Sequence, residues 1–136
     1  MKTTGAFAVG ALLPILAFAE QPPVPVWVDH QGNDTIGADL GYAFVDAVNK
    51  SSLLKLADER AAFCRARLQT MDPSRDQPDQ NLQTVYSVVV TCGIVDVYVS
   101  SSLGKCGARM VSECAGTLVR GLYSGAMSAV SEAASP

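Results

Sequence analysis

Residues 61–99 read AAFCRARLQTMDPSRDQPDQNLQTVYSVVVTCGIVDVYV, two extended segments separated by a polar loop. In the first segment Cys64, Ala66 and Leu68 share one face and Phe63, Arg65, Arg67 and Gln69 the other, because successive side chains of a strand point to opposite sides. A strand is predicted from Ala61 to Met71, and Asp72 to Gln80, with two prolines and alternating charges, is predicted as an exposed loop. Leu82 to Val99 is dense in valine and isoleucine, which favours strand over helix, with Gly93 marking a break or bulge. If the two segments form a hairpin with Tyr86, Val88, Val90 and Cys92 toward the core, Cys92 comes to the same side as Cys64.

Toward the N-terminus, Val24, Val26 and Val28 alternate with Pro25, Trp27 and Asp29, a strand whose valine face is core and whose Trp27 points away from it. His30 to Thr35 reads as a solvated turn, with Asp34 placed to cap a helix beginning near Thr35. Leu40, Phe44, Val45 and Val48 then fall on one helical stripe. Gly37 and Gly41 cost helix propensity, and their predicted use is close approach of this helix to the sheet. Ser51 to Ala57 reads as a short strand. Toward the C-terminus, Met110, Val111, Cys114, Leu118, Val119, Leu122 and Tyr123 form a second helical stripe, and residues 124–136, rich in alanine and serine, extend that helix or fray. The expected fold is α+β: a two-layer α/β sandwich of about four mostly antiparallel strands with two helices on one face.

The chain begins with Met1 and Lys2, runs apolar from Ala6 to Phe18, and reaches Ala17-Phe18-Ala19 before Glu20. A basic start, an apolar middle and a small-x-small site predict a signal peptide over residues 1–19. Pro14 and the polar, proline-rich Glu20–Pro25 segment close the apolar run short of the roughly 20 residues a membrane span needs. No cysteine at the junction supports a lipid anchor, so residues 20–136 are expected as a single small α/β domain, periplasmic or secreted, without membrane insertion. The whole chain carries a net charge of −3, which argues against general nucleic-acid binding.

Cys64, Cys92, Cys106 and Cys114 all lie beyond the leader, where oxidation is expected. Four cysteines allow three connectivities and spacing alone selects none. The hairpin reading favours Cys64 with Cys92, leaving Cys106 with Cys114. No CxxC pair exists and His30 is the single histidine, so neither a metal nor another cofactor is expected.

Other motifs are partial. Ser102 to Gly107 resembles a phosphate loop but lacks its first glycine and the hydroxyl residue after Lys105, and reads as a turn into the last helix. Ser52 with Lys55, and Ser102 with Lys105, match a Ser-x-x-Lys spacing without its companion motifs. Asn33 and Asn49 head glycosylation sequons that are silent in a bacterial exporter, the source favoured here. With no nucleophile–base pair or carboxylate constellation, no catalytic residue is expected.

The candidate binding patch is Trp27, Phe63, Arg65 and Arg67, joined by Tyr98, on the sheet face away from the helices, since aromatics and arginines are enriched at binding hot spots. The run Ile36 to Ser51 followed by Leu53-Leu54-Lys55-Leu56-Ala57-Asp58 resembles the helix and turn-strand of small periplasmic domains at the N-terminus of TolB and in CsgG-type and LpoB-type envelope factors. The resemblance implies an envelope assembly or scaffolding role and no catalytic residue. The expected function is non-catalytic binding of another protein in the cell envelope; the alternative is a secreted or periplasmic inhibitor or immunity protein.

Overall fold

The computed structural model describes residues 21–135; the signal peptide expected over residues 1–19 lies outside them. Strand β1 (Val24–Gln31) leads through helix α1 (Thr35–Asn49) to the short β2 (Leu54–Leu56). There follow β3 (Cys64–Met71), β4 (Gln83–Cys92), β5 (Val97–Gly107) and helix α2 (Val111–Ala133). The sheet runs β2-β1-β3-β4-β5, and both helices pack side by side on one of its faces.

The two-layer α+β plan stands, with a sheet of five strands in place of about four, and a mixed one. β1 is parallel to both β2 and β3, whereas β3–β4 and β4–β5 are antiparallel. A parallel neighbour requires a crossover, and α1 supplies it between β1 and β2. The extra strand comes from the run expected to end at Val99. Gly93, at φ +85°, turns the chain in a hairpin, and β5 continues through Gly107. Ser102 to Gly107 is therefore strand and not a turn into α2. Ser102 and Gly104 are small and Leu103 and Lys105 stand exposed, as an edge position allows.

Alternation sorts the faces. Val24, Val26, Cys64, Ala66, Leu68, Val88, Val90 and Cys92 are buried under the helices with Leu40, Phe44, Val48, Leu118, Leu122 and Ala126. Cys64 and Cys92 are direct partners across β3 and β4 and form one disulfide. Cys106 of β5 and Cys114 in the first turn of α2 form the second. This link anchors a helix start at which Met110 offers no side-chain cap.

Helix α1 has its predicted cap: the Asp34 carboxylate accepts the Gly37 amide at 2.8 Å. A Cβ on Gly37 would lie 2.1 Å from the Thr70 hydroxyl, and one on Gly41 2.9 Å from the His30 ring. These two glycines let α1 settle onto the ends of β1 and β3. Residues 124–133, left between extension and fraying, belong to α2, and Gly125 and Ala126 there are buried.

Candidate functional site

The face of the sheet turned away from α1 and α2 is open: among the described residues no helix packs on it. Trp27 of β1 lies directly beside Arg65 of β3, and Asp29 beside Arg67. The Arg67 guanidinium sits over the Trp27 ring, 5.8 Å from its centroid, a cation–π geometry. Arg67 also reaches Glu59 at 3.9 Å.

Arg65 has another task. Its guanidinium donates to Asp96 at 2.9 Å and to the Gly93 carbonyl at 3.3 Å, and only 12% of its side chain is exposed. Thr91 donates to the same Asp96 carboxylate at 3.1 Å. Arg65 therefore holds the β4–β5 turn, in which Asp96 adopts φ +52°, and leaves Arg67 and Trp27 as the polar and aromatic surface.

Phe63 does not join them. β3 begins at Cys64 and not at Ala61, so the alternation that placed Phe63 with the arginines stops one residue short. Phe63 instead packs against the core and lines a groove beside α2. Beside the expected Tyr98, the open face carries three further exposed apolar side chains. Met71, Val89, Tyr98 and Leu103 are exposed on β3, β4 and β5, and Met71, Val85, Leu103 and Lys105 share a shallow depression. Tyr98 was legible from alternation; Leu103 was not, because its strand was read as a turn.

A second polar cluster lies on the helix side. His30 Nε2 is 2.8 Å from the Thr70 hydroxyl, and that hydroxyl donates to Asp34 at 2.8 Å. With its proton held by the carboxylate, the Thr70 oxygen accepts from the imidazole N–H. Burial of the Asp34 carboxyl opposes its ionisation, but hydrogen bonds from Thr70 and the Gly37 amide, with the Thr84 hydroxyl close by, outweigh this and hold it below the ordinary carboxylate range. The turn expected at His30 to Thr35 is exposed at Gln31 to Asn33, while His30 and Asp34 clamp α1 and β1 to β3 through Thr70, with Asp34 and Thr70 buried. Asp29 lies on the opposite face and does not converge with them. Ser102 and Lys105 likewise belong to opposite faces of β5, because residues three apart on a strand point opposite ways.

Fold and faces together define the class: a disulfide-braced, two-layer α+β domain with one helix-covered and one open sheet face. No family model and no curated protein matches the sequence. Among solved structures, a Xanthomonas campestris protein of family DUF330 superposes with a TM-score of 0.59 at 9% identity, over 87% of this chain and 94% of that one. A candidate lipoprotein from Caulobacter crescentus follows at TM-score 0.48 and 11% identity, covering 73% and 88%. The PelC dodecamer from Paraburkholderia phytofirmans stands at TM-score 0.45 and 12% identity, covering 77% and 89%. The first of these shares the fold; the other two overlap too loosely to carry an argument.

Proposed function

We propose that this chain is an exported, non-catalytic module of the bacterial cell envelope that binds another protein through its open sheet face. The observation that carries the reading is the uncovered face itself, where the Trp27–Arg67 stack adjoins the exposed Val89, Tyr98, Leu103 and Met71. Trp and Arg are the side chains that most often dominate protein interfaces, and here they stand in one stack beside exposed apolar side chains. Export is supported by the leader pattern over residues 1–19 and by two disulfides, which persist in oxidising compartments. Envelope assembly as the setting is part of the proposal and rests on the sequence pattern of Ile36 to Asp58 alone.

Capture of the native partner by the immobilised mature protein, compared with its variants, tests this. Trp27→Ala and Arg67→Ala should each weaken capture, the former by about 2 kcal/mol or more if Trp27 is a hot spot, with little change in the thermal transition. Undiminished capture by both would remove the open face as the site. Arg65→Ala is unsuitable as a probe, because it also releases the β4–β5 turn.

A further inference from the structure

We infer that the free edge of β5 is a second binding site, which takes an extended peptide strand of a different protein whose alternate bulky side chains enter the groove beneath α2. Strand β5 ends the sheet, and no described strand pairs with its outer side. Such an edge presents a row of unpaired amides and carbonyls, and the chemistry that answers that repeat is the backbone of another extended chain. Proteins usually blunt such edges with proline, charge or a bulge. Here Val90 faces Ser100 and Thr91 faces Tyr98, which makes Val99 a bulged residue. From Ser100 to Gly107 the strand is regular, without proline and with Lys105 as its single charge.

Beside this edge a groove of about 640 Å³ runs between β5 and α2. Its walls include Val88, Val90, Leu118 and Leu122, and Ser101, a residue of the open face, also lines it, so the groove opens at the edge itself. Ser102 is exposed although it faces the helix layer. On the helix, Gly121, Ser124 and Ser128 line the groove and are exposed. A Cβ on Gly121 would meet nothing within 4 Å. Glycine there lowers helix propensity without being needed for any contact among the described residues, and what it leaves is room.

The groove also selects its occupant. A second copy pairing through its own β5 would offer Ser100, Ser102 and Gly104 to the helix side, too small to fill the space. Large aliphatic side chains at every other position would fill it. Glu132 is the one charged side chain among the described residues that line it, which favours a basic residue on the incoming strand near the start of β5.

The probe is a labelled synthetic peptide alternating isoleucine and threonine and ending in lysine, titrated into the mature oxidised protein by fluorescence anisotropy. Saturable binding is expected, with slowed amide exchange along β5. A matched peptide with a central proline, which cannot complete the ladder, should not bind. Gly121→Leu should weaken binding at least about tenfold by occupying the groove, with a thermal midpoint equal to or above wild type, since leucine is the better helix former. Trp27→Ala, on the open face, should leave it within about twofold, and loss of peptide binding in that variant would put the peptide on the open face and overturn the inference. Absence of saturable binding up to about 1 mM peptide, equal binding of the proline peptide, or indifference to Gly121→Leu would each overturn the inference. A self-associating wild type whose dimer is abolished by Gly121→Leu would overturn it too, by showing that the occupant is a second copy.

Discussion

Asp34 caps α1 and receives the Thr70 hydroxyl, so one ionised carboxylate joins the helix start to the end of β3. Asp34→Ala should cost about 1–2 kcal/mol near neutral pH, because it leaves the Gly37 amide and the buried Thr70 hydroxyl without their acceptor. The pH dependence has a definite sign. Hydrogen bonds hold the folded-state pKa of Asp34 below its ordinary value, so the contribution is complete above the unfolded-state pKa of about 3.9 and is lost as pH falls through the lower folded value. Urea denaturation of wild type and Asp34→Asn across this range should show the two stabilities converging on acidification. A gap independent of pH would mean that the charge of Asp34 contributes nothing. The cap was legible in the sequence, because Asp before a helical stripe has a local meaning. Its burial was not, because the residue that closes over it, Thr70, is far away along the chain.

At the scale of elements, the two disulfides do different work. Cys64–Cys92 closes a separation of 28 residues between strands already paired, and Cys106–Cys114 closes 8 residues between a strand and a helix. Chain entropy assigns about 3–4 kcal/mol to the longer closure and about 2–3 to the shorter. Chemical denaturation of the Cys64→Ala/Cys92→Ala and Cys106→Ala/Cys114→Ala proteins should therefore rank the first as less stable. The reverse order would show that holding α2 against β5 outweighs loop closure. The β3–β4 hairpin could be read from sequence because Cys64, Ala66 and Leu68 alternate with Arg65 and Arg67 without a lapse. β5 could not: Ser100 to Ser102 carry no hydrophobic period, and an edge strand is not obliged to. Phe63 shows the opposite failure, in which an alternation was followed past the end of the strand that generates it.

For the whole molecule, the signal-peptide pattern over residues 1–19 and the two disulfides support the same proposal, export followed by oxidation. Intact-mass measurement of the exported protein should give a mature chain starting at Glu20, with no thiol available to alkylation until a reductant is added. A mass that includes Met1 to Ala19 would leave the chain tied to its apolar leader and remove the basis for a free envelope protein. Fold class and helix placement were legible because they rest on local periods of hydrophobicity. The parallel pairing of β1 with two strands was not, since choosing a partner depends on contacts between distant parts of the chain. That pairing bears on how the sheet is assembled as the chain emerges from its N-terminus. β1 appears first and needs neighbours on both edges, yet β2 arrives only after α1, and β3 later still. Until both have arrived, β1 cannot complete either of its ladders, a period in which a holding chaperone would be of use. β4 and β5, by contrast, each pair with the strand made just before them, so the half of the sheet that ends at β5 needs no wait for a distant partner.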